Sequence, residues 1–163
     1  MEKAFRAGKA RSIGVSNWKI PQLENMLQYA EIPPAINQVE IQPFFPNTVL
    51  IDFCFSHNIL PSAYSPLGKI GTKVSGSKEL TALAEKKNAT LAQVLIAWGI
   101  RRGYAVLPKS ANEARIKSNF ELIELSDEEF EAVNKATEGK HTRLVNPKGM
   151  FGYNPWPEEE SST

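Results

Sequence analysis

Short apolar runs alternate along this chain with longer segments whose apolar residues recur at helical spacing. The apolar runs predict four strands, at residues 10–17, 35–41, 59–65 and 104–110. The helical segments predict helices at residues 20–30, 47–58, 78–88, 90–102 and 125–136, with a further helix after Pro108. Alternation of strand and helix predicts βα units and therefore a parallel sheet, that is, an α/β fold.

Local signals predict where several of these helices begin. Thr90 with Gln93, and Ser126 with Glu129, have the spacing of a capping box, in which a hydroxyl and a longer polar side chain satisfy free N–H groups reciprocally. Asn47 is expected to cap the helix at 47–58 through its side chain.

The composition changes this picture little. The chain has 163 residues, of which 42% are hydrophobic and 23% charged, as in an ordinary globular domain. Its net charge of +1 gives no electrostatic reason to bind nucleic acid or an anionic membrane. No apolar run is long enough to span a bilayer. We expect one domain over 1–163, in which 137–163 form a loop-like tail.

The single cysteine, Cys54, lies among apolar neighbours, so we expect a buried structural thiol rather than a nucleophile. One cysteine cannot form an internal disulfide and fits a reducing compartment. The charged N-terminus has no apolar segment behind it, as a signal peptide would. These features predict a cytoplasmic protein, and no metal site is predicted.

Each predicted strand ends in polar residues. They are Ser16 and Asn17, Gln38 and Glu40, Tyr64 and Ser65, and Lys109 and Ser110. The carboxyl ends of parallel strands lie at one edge of the sheet, where α/β proteins bind their ligands. We therefore expect these side chains to converge although they are far apart in the sequence.

Two interpretations compete for the junction after the fourth strand. In one, Ser110 with Glu113 is a capping box, or Asn112 is the cap, and the exposed face with Arg115 is simply solvated. In the other, the junction binds a phosphorylated ligand: the helix N-terminus offers free N–H groups, Lys109 adds a charge, and Arg115 adds a planar fork of donors. The layout favours an anion site.

Tyr64 also has two interpretations. It is either an interior tyrosine whose hydroxyl is satisfied, or an aromatic platform for a flat heterocycle. Asn17 and Gln38 either cap the backbone locally or bind a carboxamide through paired donors and acceptors. A phosphate clamp, a ring platform and amide groups along one edge together indicate a nicotinamide dinucleotide.

Several ordered motifs carry a resemblance to a known family. The segments "GKARSIGVSNW", "NQVEIQP", "AYSPLG", "TLAQVLIAWGIRRG" and "LPKSANEARIKSN" resemble the C-terminal half of the aldo-keto reductases. The resemblance extends from about residue 1 to about residue 136. It implies strands 5–8 of a (β/α)₈ TIM barrel and an oxidoreductase that interconverts aldehydes or ketones and alcohols with NADPH, less often with NADH.

The resemblance also implies roles for particular residues. The nicotinamide carboxamide would be bound by Ser16, Asn17 and Gln38, with Tyr64 stacked under the ring. The phosphates and adenine would be bound by Ser65, Pro66, Leu67, Lys109, Ser110, Asn112, Arg115, Ser118 and Asn119. Lys109 and Arg115 near the 2′-phosphate favour NADP over NAD, whereas Asn112 resembles forms that accept both. Trp156 lies in a tail that resembles the substrate-pocket loop of fungal glycerol or aldehyde reductases.

The resemblance begins at the fifth strand, whereas the family's catalytic Asp, Tyr, Lys and His lie on the first four. We therefore expect this chain alone to be inactive, because hydride delivery to a carbonyl needs a proton donor. Four strands do not close a barrel, so exposed sheet edges are expected to favour self-association. The alternatives are a non-catalytic nucleotide-binding or regulatory half-barrel and a sugar-phosphate-binding barrel fragment.

Overall fold

The chain folds around a four-stranded sheet with helices packed on it. The computed structural model describes residues 1–68, 74, 76–146 and 152; Trp156 and most of the predicted tail lie outside the described residues. The strands are β1 (Val15–Ser16), β2 (Ile36–Glu40), β3 (Leu60–Tyr64) and β4 (Ala105–Val106). The helices are α1 (Glu2–Arg6), α2 (Ile20–Leu27), α3 (Thr48–Ser56), α4 (Lys78–Lys86), α5 (Leu91–Arg101), α6 (Glu113–Ser118) and α7 (Asp127–Thr137).

All strand pairs are parallel, in the order β1-β2-β3-β4, so the predicted parallel sheet is confirmed. The edge strands β1 and β4 are much shorter than their apolar runs, because only two residues of each pair with a neighbouring strand. Helix α1 lies in a segment for which the sequence predicted no element.

The helix caps test the local predictions directly. The hydroxyl of Thr90 accepts the N–H of Gln93 at 3.2 Å, and that of Ser126 accepts the N–H of Glu129 at 3.3 Å, so both capping boxes are confirmed. Asn47 is the N-cap residue of α3, as predicted, but the expected side-chain capping bond is absent. Its backbone is left-handed, with φ of 49°, and its side-chain amide donates to the Glu40 carbonyl at 3.4 Å.

At α6 the cap is Asn112, whose side-chain oxygen accepts the N–H of Arg115 at 3.0 Å. The proposed capping box of Ser110 and Glu113 was wrong, because the Ser110 hydroxyl accepts the N–H of Asn112 at 3.1 Å and so shapes the turn before the helix. Helix α6 itself has only six residues.

The main core lies between one face of the sheet and helices α3, α4, α5 and α7. Val39 and Ala63 of the sheet contribute to it, together with Ile51 and Trp98. The Trp98 indole N–H donates to the Asn134 side chain at 2.9 Å, so the largest core side chain is also satisfied. Within the described residues, no helix is both long and apolar enough to cross a membrane.

Cys54 is 1% exposed and packs in a second apolar cluster with residues of α2. The expectation of a buried thiol is therefore confirmed. Burial raises the pKa of the Cys54 thiol, which keeps it protonated and poorly nucleophilic.

Candidate functional site

The ends of β1 and β2 are tied together through one carbonyl. The Ser16 hydroxyl and the Asn17 backbone N–H both donate to the Gln38 carbonyl oxygen, each at 2.9 Å. Asn17 has φ of 59°, a left-handed conformation that asparagine tolerates better than most residues. Ser16 and Asn17 are exposed, and Gln38 is half-buried. Three predicted site residues thus meet at this edge.

Sequence reasoning missed the residue that fixes this turn. Asn37 is fully buried, its amide donates to the Trp18 carbonyl at 2.9 Å, and its side-chain oxygen accepts the Trp18 N–H at 3.4 Å. It therefore holds the chain as it leaves β1. The sequence did offer one signal for Asn37: it is a polar residue at a strand position whose face packs against the helices.

Tyr64 lies at the end of β3 with its hydroxyl oxygen buried. Burial raises the pKa of the hydroxyl; the negative charge of Glu40 acts in the same direction, whereas Arg143 and Asn17 oppose it. Neither of these two makes a well-formed hydrogen bond with the hydroxyl oxygen. The tyrosine thus lies beside both the β1 turn and the segment after α7.

A sharp turn follows Tyr64. Ser65 has φ of 52°, and its carbonyl accepts the Gly68 N–H at 3.0 Å. Pro66 is buried, and Leu67 packs against the main core. The Pro66 and Leu67 side chains therefore secure the turn.

The end of β4 and helix α6 carry the second group of predicted residues. Lys109 and Arg115 are exposed, and neither makes an ion pair with another residue in the part of the chain that is described. The Ser118 hydroxyl donates to the Arg115 carbonyl at 3.2 Å, and Asn119 is buried. The junction is thus well capped, in agreement with the first interpretation. Lys109 and Arg115 nevertheless make no ion pair within the described residues.

The two groups lie along one edge of the sheet. The Leu107 N–H donates to the Ala63 carbonyl at 3.0 Å, so the chain that leads to Lys109 leaves the sheet beside Tyr64. Neighbouring strands lie about 4.8 Å apart, which puts β1 and β4 about 14 Å from each other. The ends of the four strands, which the predicted residues follow, therefore lie along the same edge of the sheet.

A cavity of about 540 Å³ opens beside the β1 turn. Apolar atoms of Trp18, Val39 and Leu50 line it, with Asn17 and Arg143 as polar neighbours. Another groove, of about 840 Å³, runs past Lys109, Ser110 and Asn119 along β4. No group of three or more metal-ligating side chains occurs among the described residues.

Comparisons with known proteins identify the family. The model of the Aldo/keto reductase family matches residues 1–138, and the chain belongs to this family. It is 54% identical over 166 residues to glycerol 2-dehydrogenase (NADP(+)) of Hypocrea jecorina, covering 98% of this chain and 52% of that protein. It is 41% identical over 150 residues to the Saccharomyces cerevisiae protein of the same name, covering 90% and 48%.

Solved structures agree. The aldose reductase of Giardia lamblia matches with a TM-score of 0.88 at 34% identity, covering 94% of this chain and 53% of that one. The Bombyx mori aldo-keto reductase in complex with NADP matches with a TM-score of 0.83 at 35% identity, covering 96% and 54%. The chain therefore spans about half the length of the relatives that it matches.

Proposed function

We propose that this chain is the NADP(H)-binding half of an aldo-keto reductase whose parent reaction interconverts aldehydes or ketones and alcohols. The observation that carries the proposal is the parallel order of the four strands, whose carboxyl ends share one edge of the sheet. Asn17 follows β1 and Lys109 follows β4, so the proposed site extends along this edge. The relatives support it, since one is named for NADP(+) and another was solved with NADP.

At the nicotinamide end, Ser16, Asn17 and Gln38 would bind the carboxamide, and the Tyr64 ring would support the nicotinamide ring. Ser16 and Asn17 are exposed at the end of β1, which fits this role. When bound, NADPH supplies a hydride to the carbonyl carbon. The protein's part is to fix the orientation of the ring.

At the other end, Lys109 and Arg115 would bind the 2′-phosphate, with help from Ser110 and Asn112. Among the described residues neither cation is in an ion pair with a carboxylate, which suits them to a phosphate. The adenine would lie against Ser118 and Asn119, and the turn formed by Ser65, Pro66 and Leu67 would border the pyrophosphate. This division favours NADP, with NAD as the weaker alternative.

We further propose that 1–163 is a single partial domain, equivalent to strands 5–8 of a (β/α)₈ barrel, with 137–163 as its tail. The four parallel strands and the half-length match to the relatives support this assignment. In this arrangement Trp156 would shape the substrate pocket from the tail.

The isolated chain is proposed to lack a general acid. Reduction of a carbonyl needs a proton for the developing alkoxide, and a tyrosine is suited to that task only when its pKa is lowered. Burial raises the pKa of both Tyr64 and Tyr104, and Tyr29 is 68% exposed on the surface. None of these three therefore has the environment of a proton donor.

The test separates binding from turnover. The purified chain is mixed with NADPH and glyceraldehyde, and both tryptophan quenching and NADPH oxidation are followed. We expect quenching, because Trp18 lies next to the nicotinamide end, without oxidation above the uncatalysed rate. Oxidation that depends on a tyrosine would overturn the claim of inactivity, and no quenching by a folded sample would overturn the binding site.

A non-catalytic nucleotide-binding or regulatory role is the second candidate. Two observations favour it. Lys109 and Arg115 make no ion pair within the described residues, so they can bind a phosphate. The pKa values of the Tyr64 and Tyr104 hydroxyls are raised, which does not suit a catalytic proton donor. Complementation decides between the two. Addition of the separately expressed N-terminal half of the Hypocrea jecorina relative restores turnover if the chain is half of an enzyme, and leaves it inactive if the role is regulatory.

A further inference from the structure

Glu40 at the end of β2 is fully buried. A carboxylate in such a place is costly unless strong hydrogen bonds satisfy it. One of its oxygens accepts the Leu144 N–H at 2.7 Å, and the other accepts the Val145 N–H at 2.9 Å. These partners lie 104 and 105 residues later in the sequence. The carboxylate therefore holds the chain that follows α7 against the carboxyl end of the sheet.

Two further contacts secure the same stretch, residues 142–146, which we call the anchored segment. The Gln42 side-chain amide donates to the Thr142 carbonyl at 3.0 Å, and the Thr142 N–H donates to the Phe44 carbonyl at 2.6 Å. Gln42 is almost fully buried as well. The Gln42 side chain and the Phe44 carbonyl, both just after β2, thus attach the start of the segment.

The anchored segment reaches the nicotinamide end of the proposed site through Arg143. The guanidinium carbon of Arg143 lies 4.3 Å above the centre of the Phe45 ring. The side chain lines the cavity of about 540 Å³ together with Asn17 and Trp18. Its charge also acts on the Tyr64 hydroxyl. The position of Arg143 therefore depends on residues that Glu40 holds.

We propose that Glu40 is a positioning residue, which fixes the anchored segment so that Arg143 stays beside Tyr64 and Asn17 and organises the nicotinamide end. The role rests on the proposed function, because it assigns Glu40 to one end of the same dinucleotide site. The 2′-phosphate end depends on other elements, since Lys109 follows β4 and Arg115 lies on α6.

The two ends can therefore be tested with different ligands. NADP⁺ would occupy both ends, whereas adenosine 2′,5′-bisphosphate carries only the adenosine and the 2′-phosphate. Loss of a purely structural residue would weaken both ligands alike. Loss of a residue that organises the nicotinamide end would weaken NADP⁺ and spare the bisphosphate.

The test is calorimetric titration of each ligand into wild type, Glu40→Gln and Glu40→Asp. Glutamine keeps the shape but faces one of the two N–H groups with its own donor, so one hydrogen bond is lost. We expect Glu40→Gln to weaken NADP⁺ by about tenfold, as for one hydrogen bond to a charged group. The bisphosphate should bind as it does to wild type. Glu40→Asp, which keeps the charge, should restore part of the affinity for NADP⁺.

Two more variants keep the result decisive. Arg143→Ala removes the half-buried side chain that Glu40 is argued to position, and it should give the same split even if Glu40→Gln fails to fold. Glu85→Gln, on the exposed face of α4, is the matched control and should change neither affinity. Equal affinities in all variants, or equal loss for both ligands, would overturn the positioning role. Failure of wild type to bind either ligand would overturn the proposed function, and the role of Glu40 with it.

Discussion

Replacement of Arg115 by alanine tests the phosphate end of the site most sharply. The Arg115 side chain is exposed and makes no ion pair within the described residues. Its hydrogen bonds are made by the backbone: its N–H is used in the α6 cap, and its carbonyl accepts the Ser118 hydroxyl. Its loss should therefore change the free energy of unfolding by no more than about 0.5 kcal/mol. Its proposed contact with the 2′-phosphate is a charge-assisted hydrogen bond worth about 1.5–3 kcal/mol, which corresponds to roughly 10- to 100-fold in affinity.

The assay is calorimetric titration of NADPH and of NADH into wild type and Arg115→Ala. NADH lacks the 2′-phosphate, so the affinity for NADH should be little changed. The ratio of the two affinities should therefore fall by the same factor as the affinity for NADPH. Lys117→Ala is the matched control, because this lysine lies on the same short helix, is 72% exposed and pairs with Glu113. Unchanged NADPH affinity in a folded variant, or an equal loss for NADH, would refute the assignment.

Three further predictions concern stability and association. Asn37→Ala removes both hydrogen bonds to the Trp18 backbone, so urea unfolding should show a loss of about 2–3 kcal/mol; a loss below about 0.5 kcal/mol would contradict its role. Burial raises the pKa of the Tyr104 hydroxyl above the ordinary 10.0. As the pH rises, the unfolded chain therefore loses the Tyr104 proton before the folded chain does, and the free energy of unfolding should fall above about pH 10. Urea unfolding of Tyr104→Phe, which has no such proton, should show a smaller fall over the same pH range. Leu107, just after β4, is 45% exposed, and Phe120 nearby is 85% exposed. Light scattering should show concentration-dependent self-association that Leu107→Lys reduces, and a monomer at all concentrations would refute this prediction.

The local part of the fold could be predicted from the sequence. The βα alternation shows in the apolar spacing, and the caps at Thr90 and Ser126 use partners three residues away. Asn47 is at the predicted N-cap but makes no capping bond with its side chain, because its conformation depends on the path from β2 to α3. The lengths of β1 and β4 depend on which residues find a partner on the neighbouring strand, which the apolar run alone does not determine.

The candidate site could likewise be predicted only in part. Its predicted residues could be found because strand ends are visible in the sequence and parallel strands bring them to one edge. The supporting residues could not be assigned roles, because their partners are distant or belong to the backbone. Glu40 accepts N–H groups that lie more than a hundred positions later in the sequence. Asn37 in β2 binds the backbone of Trp18, which follows the neighbouring strand β1. No local spacing encodes such contacts.

A crystal structure of this chain grown with NADP⁺ would test the central claim most directly. We expect one dinucleotide along the sheet edge, with its nicotinamide ring on Tyr64 and its 2′-phosphate between Lys109 and Arg115. A dinucleotide bound elsewhere, or one that touches Tyr64 while its 2′-phosphate points away from both cations, would contradict it.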